Sequence, residues 1–217
     1  MLVSFILKSK FKKYSRQQLQ TNMSGVEVAR KMLDEHGLYD VVITNVPGRL
    51  TDHYNPKDRT VNLSDAVYNE RNAAAAAVSA HECGHAIQHA ESYAPLKMRS
   101  ALVPLQNASG MILNVVIMIS VIGGNFLYEK FPMDWVLMIL LAVYGIMALF
   151  SIITLPVEFD ASKRALAWIQ SSGVVNSTEY SGAKDALKWA AMTYVVAALG
   201  SIASFLFILM RLLGSRK

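Results

Sequence analysis

The chain has 217 residues, 53% of them hydrophobic and 17% charged, with a formal net charge of +5; its mean hydropathy is +0.30 and its sequence pI near 9.3. So large an apolar share exceeds that of an ordinary soluble domain and points to membrane segments. The Lys and Arg residues are scattered beside apolar stretches and form no recognition motif, which argues against nucleic acid as a partner. The lone cysteine, Cys83, excludes an intramolecular disulfide, so a soluble part must be held by its core or by a metal.

Met1 to Leu7 is apolar apart from Ser4 and is followed by Lys8, Lys10, Lys12 and Lys13. Seven residues are too few to cross a bilayer of about 30 Å, and a signal peptide would place its basic residues first. The segment reads as the end of an anchoring helix within a basic, membrane-proximal stretch over 1–24. Val26, Ala29, Met32 and Leu33 then recur at helical spacing, with Gly37 as a stop signal, and predict an amphipathic helix.

Residues 41–46, 49–54 and 60–63 read as short strands of a small antiparallel sheet, punctuated by Pro47, Gly48 and Pro56. Asn72 is placed to cap a helix running through the five alanines at 73–77 to Ala90. Residues 25–100 thus form a candidate soluble core.

Three apolar stretches follow, at about 101–127, 133–155 and 189–213. Each approaches or exceeds the ~20 residues that cross a bilayer. Their middles carry no charge, which favours spans over buried core helices and argues against a transporter; Asp134 and Arg211 sit only at ends. A polar segment, 156–188, joins the second span to the third. The expected fold is α+β, mainly helical: a small domain with a short sheet joined to a transmembrane helical bundle.

The chemistry concentrates at residues 81–85, His-Glu-Cys-Gly-His. On a helix His81 and His85 stand at i and i+4, about 6 Å apart along one face, which suits two imidazoles on one zinc ion. Glu82 is rotated about 100° from His81, beside the metal, where a carboxylate can act as general base on a zinc-activated water. The third ligand is open at this point. A third histidine six residues on is excluded, because position 91 is Glu91 and Gln88 stands where that pattern needs glycine. His89 lies about 12 Å along the axis from His81, too far to share the ion, and reads as polar packing or support for the site. Cys83 points to another face and reads as core. His53, in a polar loop beside Asp52 and Tyr54, is a candidate for stabilising an oxyanion or for holding a turn.

Several further stretches carry a resemblance: Leu50 to Pro56, Asn62 to Ser64, the motif extended to Gln88, and Tyr93 to Leu96. Together with His81 to His85 they resemble the YugP-type membrane zinc metallopeptidases, themselves similar to the HtpX and CAAX-protease group. The resemblance implies a gluzincin-like domain at the membrane, Zn2+ as cofactor, a polypeptide substrate, and a glutamate third ligand in a Glu-Phe-x-Ala pattern. That pattern is Glu158 to Ala161 here, so Glu158 is the implied ligand. In the HtpX relatives an Asp usually follows the alanine; this chain has Ser162.

Two spans between His85 and Glu158 return the chain to one membrane face, but Glu179 and Asp185 share that face, and Asp160 is close by. Pro156 marks a place where a new helix could begin, so Glu158 could also serve its first turn. Near the span ends Lys97, Arg99, Lys163, Arg164, Lys184 and Lys188 stand on the catalytic side, against Lys130, Arg211, Arg216 and Lys217 opposite, which predicts a cytoplasmic active site in the cell membrane. The expected function is a zinc-dependent endopeptidase of membrane-associated or misfolded polypeptides. The alternative is a non-catalytic, zinc-stabilised membrane scaffold, against which the carboxylate at position 82 argues, since a structural site would be closed by four protein ligands.

Overall fold

The computed structural model describes residues 2–122 and 132–215, which form six helices and three strands. In chain order these are α1 (Leu2–Tyr14), α2 (Gly25–Glu35), β1 (Val42–Val46), β2 (His53–Asn55), β3 (Thr60–Ser64), α3 (Ala73–Ala90), α4 (Ala94–Ile122), α5 (Met133–Ser171) and α6 (Ser177–Ser215). The predicted end of the first span, residues 123–127, lies outside the described residues, as do Lys130, Arg216 and Lys217 of the charge comparison. The chain divides into two compact units, one of residues 1–96 and 156–193, the other of residues 97–155 and 194–217.

In the first unit, α2 begins with a reciprocal cap. The Ser24 hydroxyl accepts from the Glu27 amide, while the Glu27 carboxylate accepts from the Ser24 amide at 2.6 Å. Its buried face is Gly25, Val28, Ala29, Met32 and Leu33, so Val28, not the predicted Val26, faces the core. Past its end, Gly37 adopts φ +70°, the left-handed stop that glycine enters without steric cost. α3 starts as predicted: Asn72 Oδ1 accepts from the Ala75 amide at 3.0 Å. Helix propensity alone does not explain the alanine run, because Ala73 to Ala77 are all fully buried. Side chains this small leave room on every side of the helix for α1, α2 and the sheet to approach.

The sheet is mixed rather than antiparallel. Its order is β1-β3-β2; β2 pairs antiparallel with β3, but β1 lies parallel to β3, with Val42 opposite Thr60 and Val46 opposite Ser64. The long 47–59 connection lets β2 and β3 form a hairpin while β1 lies along the far side of β3. Thr60 to Leu63 is therefore the central strand, with both edges paired, and cannot take up a substrate strand as an edge would.

α4, α5 and α6 are each long and apolar enough to cross a membrane. Met111, Val121, Ile122, Trp135, Leu199 and Met210 are exposed along them, as lipid-facing side chains would be. At 39 residues, α5 and α6 are each roughly 58 Å long, about twice the ~30 Å of a hydrocarbon core, so each has about half its length to spare outside it. No new helix begins at Pro156, which lies inside α5. Proline forgoes one helical hydrogen bond there, whereas ending the helix next to an apolar span would free several polar backbone groups at once. Glu158 therefore sits mid-helix, and the first-turn role falls away.

α1 is a 13-residue helix. It is tied to α6 at Asp185, which accepts from the Tyr14 hydroxyl at 2.6 Å and pairs with Lys10 at 2.7 Å. α3 and α5 cross at Gly84, where an added Cβ would stand 2.7 Å from the Ala161 carbonyl oxygen and 3.1 Å from its Cα. Backbone cannot yield as a flexible side-chain end does. Gly84→Ala is accordingly expected to lower stability by about 1–3 kcal/mol, read as a fall in the melting temperature of the detergent-solubilised protein. An unchanged melting temperature would show that the crossing is looser than this.

Candidate metal centre

His81 and His85 lie one turn apart on α3 with ring centroids 4.8 Å apart and planes at 80°. α5 brings Glu158 to them: its Oε2 is 3.3 Å from His81 Nε2 and 3.6 Å from His85 Nε2. The three residues offer donor atoms that all lie within 4.8 Å of one another. Donors about 2.1 Å from a tetrahedral zinc stand roughly 3.4 Å apart, so the two measured separations fit two edges of such a site. Glu158 is 1% exposed, and a carboxylate so deeply buried requires a cationic partner.

The imidazoles are held from behind. His81 Nδ1 is 3.2 Å from Ser162 Oγ, and His85 Nδ1 is 3.0 Å from Gln88 Oε1. Burial pulls the His85 pKa down, but the contacts with Glu158 outweigh it and leave it raised. Glu82, also buried, has its carboxyl pushed up by desolvation; His81 and His85 counter this, and the charges of Glu158 and Asp52 add to it. Asp52 is itself raised by burial, although it accepts from the Ser64 amide at 2.7 Å and from the Ser64 hydroxyl at 3.0 Å.

The rival acids each have other work. Glu179 closes a reciprocal cap on α6: its Oε2 accepts from the Asn176 amide at 2.8 Å, while Asn176 Oδ1 accepts from the Glu179 amide at 2.9 Å. Asp185 holds Lys10 and Tyr14. Asp160 accepts from Gln88 at 2.8 Å and from Arg164 at 2.5 Å. Among the described residues, His81, His85 and Glu158 are the one group of three that could hold a metal.

The remaining histidines stand elsewhere. His89 Nδ1 is 2.8 Å from the Tyr54 hydroxyl, fastening α3 to β2. His53 is exposed on β2, with Nδ1 2.8 Å from the Thr51 carbonyl oxygen. Cys83 is in the core, its Sγ 3.6 Å from the Ala29 carbonyl oxygen, and burial pushes its thiol up. Sequence reasoning overlooked what Gln88, Asp160 and Ser162 do. Gln88 had one legible signal, its position three residues beyond His85 on the same helical face.

Comparison with known proteins agrees with this geometry. The family described as "Putative neutral zinc metallopeptidase" matches residues 1–213. The chain belongs to this family. It is 40% identical over 212 residues to a Bacillus subtilis (strain 168) protein named "Putative membrane protease YugP", covering 98% of this chain and 91% of that relative. No solved structure matches the chain. Zinc is the cofactor that the family implies, and the donor set of two neutral imidazoles and one carboxylate fits it.

Replacing each acid in turn separates a ligand from acids that do not touch the ion. Glu158→Ala is expected to lose stoichiometric zinc on purification, whereas Asp160→Ala and Glu179→Ala should keep a measurable share, as metal analysis of the three proteins would show. Full zinc in Glu158→Ala would move the third ligand elsewhere.

Proposed function

We propose that this protein is a zinc-dependent endopeptidase of the cell membrane, with a gluzincin-like centre in which His81, His85 and Glu158 hold the ion and Glu82 is the general base. The observation that carries this reading is the convergence, among the described residues, of three protein donors beside a buried carboxylate that is not one of them. Three donors leave a fourth position for water or substrate, whereas the scaffold alternative would close the site with four. Zinc, when bound, supplies polarisation of the scissile carbonyl and of a water molecule. Glu82 takes the proton from that water and returns it to the leaving amine. Burial raises its carboxyl above the ordinary value, the direction that strengthens a carboxylate as a base. His53 is the candidate oxyanion donor; its Nδ1 meets the Thr51 carbonyl oxygen, which leaves Nε2 as the nitrogen that would donate to substrate.

The substrates proposed are membrane-associated or misfolded polypeptides. What supports this is that one helix, α5, carries both the second apolar span and Glu158, three residues or about 4.5 Å along the axis past the span's predicted end at Leu155. The excess of Lys and Arg near that end of the spans supports a cytoplasmic active site.

Two experiments address this reading. Glu82→Gln should abolish cleavage of unfolded and membrane-protein substrates while retaining zinc, and a chelator should abolish cleavage by the wild type; loss of metal in the variant, or near-normal turnover, would contradict the role given to Glu82. For sidedness, cysteines introduced between 49 and 60 should resist an impermeant thiol reagent in intact cells, and ready labelling would reverse the orientation.

A further inference from the structure

Gln88 is fully buried and all three of its side-chain contacts are defined: Oε1 lies 3.0 Å from His85 Nδ1, and Nε2 lies 2.8 Å from both the Val157 carbonyl oxygen and Asp160 Oδ2. A primary amide has two N–H groups, and both of these meet groups that only accept. The Val157 carbonyl has no hydrogen to give. Asp160 is kept as a carboxylate by Arg164, whose Nε is 2.5 Å from the same Oδ2 and whose Nη1 is held by Glu91 at 2.7 Å. The amide therefore has one satisfactory orientation, with its oxygen toward His85.

That orientation has a consequence for the ring. An amide oxygen can only accept, so His85 Nδ1 must carry a hydrogen, and in the neutral ring that binds a metal the lone pair is left on Nε2, the nitrogen facing Glu158 Oε2. Turned over, the amide would place N–H groups against the ring, select the other tautomer, and aim a hydrogen at the position a metal takes. His81 has no comparable control, because the Ser162 hydroxyl at its Nδ1 can donate or accept. We propose that Gln88 and Asp160 are positioning residues: Asp160, held by Arg164, orients the Gln88 amide, and the amide fixes His85 in the tautomer that binds metal. This rests on the metal-site reading above and adds to it which residues set its affinity.

The test uses full-length protein in detergent, with zinc as the probe and chelator competition as the readout. Gln88→Leu, which removes the acceptor, should weaken zinc binding by about 10- to 100-fold. Exchanging the two groups, Gln88→Glu with Asp160→Asn, keeps an acceptor for His85 Nδ1–H and lets the new amide at 160 donate to the new carboxylate at 88, with only the donor to the Val157 carbonyl lost. The exchanged pair should bind zinc within about tenfold of the wild type. Where Gln88→Leu does not fold, Gln88→Glu alone replaces it: it sets two carboxylates against each other, and the pair must bind zinc more tightly. In the zinc-free protein, at a pH high enough that the ring is neutral, nitrogen NMR shifts of the labelled ring should show the hydrogen of His85 on Nδ1 in the wild type and the pair, and a shift of it to Nε2 in Gln88→Leu.

A strut between α3 and α5 with no influence on the ring would leave the tautomer unchanged, and that result overturns the proposal. So does an exchanged pair as weak as the variant lacking the acceptor. Full zinc retention by His85→Ala would instead overturn the metal-site reading itself.

Discussion

The close crossing of α3 and α5 is the constraint on which the centre depends. Gly84 lies between the two histidines on α3 and meets the backbone of Ala161, three residues beyond Glu158 on α5. Side chains of ordinary size at both positions would hold the helices apart by more than the slack in a 3.3 Å contact between Glu158 and His81. The small residues thus act through distance: they carry no chemistry, but they set the separation at which a carboxylate from one helix and two imidazoles from the other share one point.

Around that crossing, polar groups are paired with little redundancy. The amide of Gln88, the carboxylate of Asp160 and the guanidinium of Arg164 run in sequence from the back of His85 outward to Glu91. Each buried member is satisfied by the next, which lets a polar chain pass through an otherwise apolar interface without the cost of an unmatched donor or acceptor. The same economy disposes of the other acids near the centre. Glu179 is spent on a helix cap and Asp185 on α1, so Glu158 is left as the carboxylate aimed at the histidines.

Continuity of α5 links this centre to the membrane. A helix of 39 residues that passes through Pro156 without ending carries both an apolar span and Glu158. Sequence reading took the proline as a start, because that is where proline is best tolerated in a soluble helix. Beside a span the balance differs: stopping the helix exposes several backbone groups, and losing one hydrogen bond costs less.

The sequence by itself determined much of what is local, though not the passage of α5 through Pro156 or the facing of Val28. The His81, Glu82 and His85 spacing, the Asn72 cap, the stop at Gly37 and the three apolar stretches each depend on neighbours within a turn or on the composition of a short window, and within the described residues each falls on a helix or helix end where it was read. Glu158 was reachable only through a family pattern, since 72 positions separate it from His85 and no periodicity links them. Tertiary structure alone decided three things: that β1 pairs parallel to β3, that Thr60 to Ser64 is central, and that α5 brings Ser162 behind His81 and Asp160 to Gln88. The physical reason is common to them. Each is a choice of partner between distant segments, and it is settled by which surfaces pack closely enough to bury their polar groups in pairs, a property of the assembled helices and sheet that no single stretch of chain contains.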